Sequence, residues 1–331
     1  MAAEKQPRDG MRGAGQRHEP VLLDEVLAAL APADGDLIID GTFGAGGYST
    51  AILKAASCRV LALDRDARAV AAAASISAGF AGRLTLVEAR FGDLDQIARA
   101  QLPNDAPAAI VLDIGVSSMQ LDQPERGFSF QADGPLDMRM SATGRTAADI
   151  VNLEPETDIA DILYQFGEER RSRAIARAIV ARRLERPFTR TLELAELVQR
   201  ALRTPRIDGR HAATRTFQAL RIATNDELGE LARGLEAAER VLRPGGRLVV
   251  VAFHSLEDAI VKRFLKERTG RLGQGSRHGP PAPAPAHSPS FELINRQPIA
   301  ATDAETARNP RARSARLRAA RRTTAPAWPR I

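Results

Sequence analysis

Short apolar runs recur along the first third of the chain: Leu37-Ile-Ile, Arg59-Val-Leu-Ala-Leu, Leu84-Thr-Leu-Val and Ala109-Ile-Val-Leu. Each is almost continuous, as expected of strands buried on both faces of a parallel sheet. The segments between them, Tyr48 to Ala56 and Ala67 to Ala78, are rich in alanine and favour helix. Ahead of the first run, apolar residues at 22, 23, 26, 27 and 30 mark one face of a helix. Strand alternating with helix predicts a doubly wound α/β domain.

The rhythm stops after Asp113. Helical periodicity follows near 157–166, 168–184, 191–203 and 212–223, with no convincing strand between 120 and 225. The sheet pattern resumes in Leu242-Arg-Pro-Gly-Gly-Arg-Leu-Val-Val-Val-Ala-Phe-His-Ser, which predicts a fifth strand over 247–252, beside the fourth. The expected organisation is one α/β domain formed by 18–119 and 226–331, interrupted after its fourth strand by a helical, substrate-recognising insertion over 120–225. Residues 1–17 read as a disordered leader, and 269–289, rich in Gly, Pro and Ala, as a flexible loop. Phe291-Glu-Leu-Ile-Asn reads as a last edge strand before a basic tail over 308–331.

The composition, 44% hydrophobic and 27% charged over 331 residues, excludes a collagen-like or wholly disordered chain. Cys58 is the only cysteine, so neither an internal disulfide nor a cysteine zinc site can form, and no metal is expected. No run approaches the roughly 18 apolar residues of a membrane span. The start of the chain lacks the apolar stretch of a secretory signal, so a cytoplasmic protein is expected. The formal charge of +6 is unevenly spread: eight arginines and no acid fall between Arg308 and the end. Such a run suits either a polyanionic partner, by counterion release, or a solvated tail.

The first strand ends in Asp40-Gly-Thr-Phe-Gly-Ala-Gly-Gly-Tyr-Ser. Glycines between strand and helix let the backbone approach a ligand closely. Asp64 ends the second strand twenty positions after Gly44, where a carboxylate accepts the hydroxyls of an adenosine ribose. The lysine of a phosphate-binding P-loop is absent. Dinucleotides and S-adenosylmethionine (SAM) share this geometry. In Asp40 opening the glycine loop, Asp113 after strand four and the Leu242-Arg-Pro-Gly-Gly-Arg-Leu248 turn, the chain resembles Rossmann-type methyltransferases, a resemblance that implies SAM rather than NAD. Asp113 suits a ligand or substrate contact, and equally a helix N-cap. Phe91, just past strand three, suits an adenine contact or a core aromatic. His254, ending strand five, suits a base at the active edge or the cap of the next helix.

The chain resembles the bacterial small-subunit ribosomal RNA (cytosine-N4)-methyltransferases, the RsmH or MraW family. The matching segments include His18-Glu-Pro-Val-Leu-Leu-Asp-Glu-Val, the Asp40 glycine segment, Leu112-Asp-Ile-Gly-Val-Ser-Ser-Met-Gln-Leu-Asp, Asp133-Gly-Pro-Leu-Asp-Met-Arg-Met, Phe253-His-Ser-Leu-Glu-Asp and Asn309-Pro-Arg-Ala-Arg-Ser. Tyr48 replaces a usual His, Met119 a usual Pro, and Ser141 a usual acid or amide. The resemblance implies a Rossmann-like class I SAM-dependent methyltransferase with a helical domain inserted after strand four. It implies transfer of a methyl group from SAM to the N4 amine of a cytosine in 16S ribosomal RNA, within a partly assembled small subunit. Cofactor contacts then map onto Gly46, Gly47 and Tyr48 at the methionine end, Asp64 at the ribose, Phe91 at the adenine, and Asp113 and Gln120.

A cytosine amine is a poor nucleophile because its lone pair is delocalised into the ring. Acceptors for its protons would free that lone pair, and Asp113 and His254 are the candidate catalytic residues. Arg170, Arg173 and Arg177 share one helix face, either solvated or in contact with RNA phosphates. Two rivals remain. One is an RNA-binding assembly factor that holds SAM without catalysis. The other is a DNA amino-methyltransferase, disfavoured because Asp113-Ile-Gly-Val replaces the Asn/Asp-Pro-Pro-aromatic motif of those enzymes.

Overall fold

The computed structural model describes residues 20–80, 82–207, 209–271 and 287–329. The expected leader, and residues 272–286 of the expected flexible loop, lie outside the described residues. The early apolar runs form β1 (Leu37–Asp40), β2 (Arg59–Asp64), β3 (Leu84–Glu88) and β4 (Ala109–Asp113). Within the helical segment, β5 (Arg206–Ile207) and β6 (Arg210–His211) make a small hairpin where sequence periodicity predicted no strand. Two residues per strand are too few to leave an alternation. Then follow β7 (Arg247–Ala252), β8 (Phe291–Leu293), β9 (Ile299–Ala300) and β10 (Arg316–Arg322).

The main sheet runs β3-β2-β1-β4-β7-β10-β8, with β9 also paired to β10. The strands from β3 to β7 are mutually parallel, and β10 runs antiparallel to both its neighbours. β7 pairs with β4 from Ala109 opposite Arg247 to Asp113 opposite Val251, so the fifth predicted strand lies beside the fourth despite the long insertion. Successive residues point to opposite faces. Ile38, Val60, Val249 and Val251 join the core under the helices Leu23–Leu30 and Gly47–Ala55. Ile39, Leu61, Leu248 and Val250 join the core under Glu227–Val241 and Ser255–Arg268. Burial on both sides explains the unbroken apolar runs.

Residues between Phe128 and Leu220 pack into a separate core that contains Ile150, Leu163, Ile175, Ile179, Leu194, Val198 and Phe217. Its helices are Ala147–Leu153, Glu156–Gly167, Ser172–Arg183, Thr191–Leu202 and Thr214–Asn225. The first was not anticipated, although Thr146 and Asp149 cap each other reciprocally at its start, a signal readable in the sequence.

The C-terminal region departs from expectation. Residues 316–322 are an interior strand of the sheet rather than part of a solvated basic tail, and β8, read as the last edge strand, lies outside it. Leu317, Ala319 and Ala320 are buried. Arg318 pairs with Asp258 through two hydrogen bonds of 2.7 and 3.0 Å. Arg322 is itself buried and donates to the carbonyls of Glu239, Ser290, Thr323 and Ala325. These arginines, which suggested a tail, are spent on carbonyls and carboxylates of neighbouring elements.

Candidate functional site

The carboxyl ends of β1, β2 and β4 gather three aspartates around the glycine turn, at the edge where open α/β sheets bind ligands. Asp40 is wholly buried and organises the turn: its two oxygens accept the Thr42 N–H at 3.1 Å and the Ser49 hydroxyl at 2.7 Å. Burial pushes its pKa up to about 6, against the pull of those hydrogen bonds. Asp64 Oδ2 accepts the Gly44 N–H at 2.8 Å, and Oδ1 accepts that of Asp66. Burial also raises Asp64, opposed by these two amides. Asp64 therefore shapes the turn while keeping acceptor capacity at the rim, because each carboxylate oxygen carries two lone pairs.

Gly46 has a φ of +75°, and a Cβ there would lie 2.7 Å from the Phe43 ring. Glycine is required on both counts. It caps the helix Gly47–Ala55 with no side-chain hydrogen bond, so no capping side chain covers the first-turn amides of Gly47 and Tyr48. The Tyr48 side chain is otherwise committed. It is buried, and its hydroxyl donates to the Val21 carbonyl. Burial, then the Asp113 charge, raises its pKa well above the usual phenol range. Its hydroxyl is therefore not available to a cofactor.

Asp113 differs from the other two. The Thr42 hydroxyl accepts its N–H at 2.7 Å, which ties β4 to the glycine turn. Its Oδ1 is buried and has no hydrogen-bond partner. Burial first, and then the charges of Asp40 and Glu257, raise its pKa well above the carboxylate range. No helix begins on it, so the N-cap alternative falls; Ser117 caps the next helix instead. An unpartnered buried carboxyl oxygen among like charges fits a cationic ligand, and SAM carries both an ammonium and a sulfonium.

Phe91 opens the short turn Phe91–Asp93, half-buried against the helix Glu227–Val241. A Cβ on Gly234 of that helix would lie 2.4 Å from the Phe91 ring, so this glycine sets where the ring rests. Gln120 is buried and doubly engaged: Oε1 accepts the Ser117 N–H, and Nε2 donates to Asp66 Oδ2 at 3.1 Å. Arg126 donates to the same Asp66 oxygen at 2.6 Å and to the carbonyls of Arg139 and Met140. Asp66 and Arg126 were not singled out by sequence, yet they fasten the loop after β4 to the end of β2. Asn225 completes the fastening. Its amide donates to the Met138 carbonyl and its oxygen accepts the Met140 N–H. Ser141, a departure from the family pattern, accepts from Arg65 at 3.1 Å, and Arg65 also pairs with Glu230.

His254 follows β7 at the same edge and does cap the helix Ser255–Arg268: its Nδ1 accepts the Glu257 N–H. In return Glu257 Oε2 accepts the backbone N–H groups of Phe253 and His254. His254 Nε2 lies 2.9 Å from Glu257 Oε1 but out of line for a hydrogen bond, so both atoms are buried without a partner. Burial would raise Glu257, but His254, Arg221 and the Phe253 amide outweigh it and hold its pKa low. Arg221 grips Glu227 bidentately at 2.8 and 2.9 Å beside them. The capping role uses Nδ1, while Nε2 rests against Glu257 Oε1.

The arginines 170, 173 and 177 lie on the outside of the insertion, with Arg170 ahead of the helix Ser172–Arg183 rather than in it. Arg177 is 78% exposed and 3.9 Å from Glu156. None of the three lines the cleft beside His254.

Residues 15–323 match the MraW methylase family. The chain is 60% identical to the Ribosomal RNA small subunit methyltransferase H of Paramagnetospirillum magneticum, over 95% of this chain and 98% of that one. It is 58% identical to a protein of the same name from Methylorubrum extorquens, over 96% of this chain and 90% of that one. Among solved structures it is similar to a putative methyltransferase of Streptococcus mutans in complex with SAH, at 10% identity and a TM-score of 0.42, covering 92% of this chain and 99% of that one.

Proposed function

Because the chain belongs to the MraW methylase family, we propose that it transfers a methyl group from SAM to the exocyclic N4 amine of a cytosine in 16S ribosomal RNA of the small subunit. Relatives named Ribosomal RNA small subunit methyltransferase H support the substrate class. The observation that carries the chemistry is the buried, unpartnered Asp113 oxygen among three aspartates around a glycine turn. Bound SAM supplies a methyl carbon made electrophilic by a positively charged sulfur.

The remaining work falls to the chain. Asp64 receives the ribose hydroxyls, Phe91, seated against Gly234, meets the adenine, and the Gly46–Gly47–Tyr48 amides take the carboxylate. Gln120 acts by holding the wall of the pocket through Asp66. Asp113 and His254 face the incoming amine. Hydrogen bonds from the amine protons to these acceptors draw the lone pair out of ring conjugation. With SAM bound, the methyl group would pass to the nitrogen as its bond to sulfur breaks and S-adenosylhomocysteine departs, and the proton lost by the amine would go to an acceptor at this edge. Positioning supplies much of the acceleration. The target cytosine must leave its stack to arrive there, which favours a partly assembled subunit in the cytoplasm as substrate. Among the described residues no helix is long and apolar enough to cross a membrane.

The test is transfer of labelled methyl from SAM to small subunits isolated from cells lacking this activity, followed by nucleoside analysis. N4-methylcytidine in the RNA is the expected product. SAM binding without transfer would assign the chain to a non-catalytic assembly role, and methylation of DNA alone would move it to another substrate class.

A further inference from the structure

Beside His254 a cleft of about 620 Å³ opens between the insertion and the sheet domain. One wall comes from the insertion: the end of the helix Glu156–Gly167, His211 and the start of Thr214–Asn225. The other comes from Phe253, His254 and Ser255, together with Arg313 and Arg316 of the C-terminal region. The Ser255 hydroxyl donates to Glu168 at 2.5 Å, linking the two walls. His211 is braced by the Phe130 ring, with centroids 4.7 Å apart, and its Nδ1 accepts the Ala213 N–H.

The charge on this surface is unbalanced. Asp258 is neutralised by Arg318, which leaves Glu168 as the acid facing the cleft. Arg313 is exposed and makes no ion pair among the described residues. Arg316 donates to the Ala315 carbonyl and likewise pairs with no described carboxylate. These are arginines of the basic C-terminal run that the sheet does not consume. Ala312, Ala315 and Leu317 beside them are buried, so the fold fixes where the two arginines emerge.

We infer that this cleft seats the single-stranded RNA next to the target cytosine, with backbone phosphates at Arg313 and Arg316 and a neighbouring base against Phe253. The inference rests on the RNA-methyltransferase reading above and adds where the strand runs. His254 belongs both to the cleft and to the edge where the amine reacts. A polymer with one unit at that edge must therefore pass over the adjoining surface. Phosphate contacts fix register, and unstacked bases rest on aromatic rings. Extrusion of the cytosine requires the strand to be unpaired there.

The test measures binding of small-subunit RNA to the full chain across salt concentrations, with methyl transfer in parallel. Arg313→Ala with Arg316→Gln should raise KM for subunits about tenfold or more and change kcat less than twofold. Each lost phosphate contact should flatten the slope of log affinity on log salt by roughly 0.7–0.9. SAM affinity and melting temperature should stay at wild-type values, and Arg313→Lys with Arg316→Lys should restore most of the slope. If the Arg316 change disturbs the strand, Arg313→Ala alone, at an exposed turn, carries the test with half the change in slope. An unchanged slope in a variant that melts normally overturns the cleft assignment while wild-type methylation upholds the function. A KM increase on intact subunits with unchanged affinity for the RNA alone would place a ribosomal protein in the cleft and also overturn it. Absence of methyl transfer by the wild type would instead remove the reading beneath it.

Discussion

The strand Arg316–Arg322 and the helix Ser172–Arg183 look alike as sequence, each a run of arginines spaced by alanine and aliphatic residues. They end in opposite environments. The helix satisfies its own backbone, so burying Ile175 and Ile179 leaves Arg173 and Arg177 free to face water. The strand must find hydrogen-bond partners on both sides, and it finds them in β7 and β8. Two of its arginines are then carried into the domain, where Arg322 meets carbonyls and Arg318 meets Asp258. Arginine density reports charge. Exposure is decided by what the backbone of the segment requires.

The sharpest way to break this contrast is truncation after Thr306. It removes buried Leu317, Ala319 and Ala320, the antiparallel partner of β7 and the inner neighbour of β8. Full burial of an aliphatic side chain contributes about 1.5–3 kcal/mol, against a typical total stability of about 5–15 kcal/mol. The truncated chain should fail to give a cooperative thermal transition, with or without SAM. A normal melt would return these residues to the status of a tail.

Next in size is the buried ion pair that receives the C-terminal region. Arg268 Nε lies 2.9 Å from Glu239 Oε2, with both side chains almost wholly buried, and Glu239 Oε1 accepts from Ser290 and from the Trp328 N–H. The Arg268 guanidinium also stacks 4.4 Å from the Trp328 ring centroid. Arg268→Ala leaves Glu239 charged without a counterion, which should cost about 3–5 kcal/mol in urea unfolding. A loss under about 1 kcal/mol, the scale of an exposed pair, would show that the C-terminal region is only loosely attached.

At the acidic rim, Asp64→Ala should weaken SAM binding by about 1.5–3 kcal/mol, the scale of hydrogen bonds to a charged group. Calorimetry checks this, and unchanged affinity would remove Asp64 from the ribose. The same titrations carry a pH signature. Burial raises both Asp40, to about 6, and Asp113. A cationic ligand favours their ionised forms, so binding releases protons. Affinity should therefore rise with pH above the ordinary carboxylate range, with Asp40 contributing at about 6. Asp113→Asn should reduce the rise. Equal affinity on the acid and alkaline sides of that range would show that no raised carboxylate meets the ligand.

The smallest effect belongs to the solvated side of the comparison. Arg170→Ala, Arg173→Ala and Arg177→Ala should each change stability by no more than about 0.5 kcal/mol. Combined, they should leave the salt slope of RNA binding unaltered. A flattened slope in that triple variant would extend the RNA footprint onto the outer face of the insertion.

Much of the site was legible because it depends on local order along the chain. A carboxylate at the end of a strand and glycines before a helix place Asp40, Gly46, Asp64 and Asp113 by spacing alone. The fastening residues were not legible. Asp66 meets Gln120 and Arg126, and Asn225 meets Met138, across long separations, and nothing at either position reveals its partner. The same holds for Tyr48, for which the family resemblance implied a cofactor contact and whose hydroxyl the Val21 carbonyl takes.

The sequence by itself determined the alternation of strand and helix, the glycine turn with its acids, the insertion after β4 and the family, since each is written in periodicity or contiguous motifs. Tertiary structure alone decided that the arginine-rich end enters the sheet, that His254 Nδ1 caps a helix with Nε2 against Glu257, and that Asp113 is left with an unmet oxygen. These outcomes depend on which distant groups arrive to satisfy a backbone amide, a guanidinium or a carboxylate. Desolvation at a residue is set by all the elements that cover it, and no local stretch of sequence contains them.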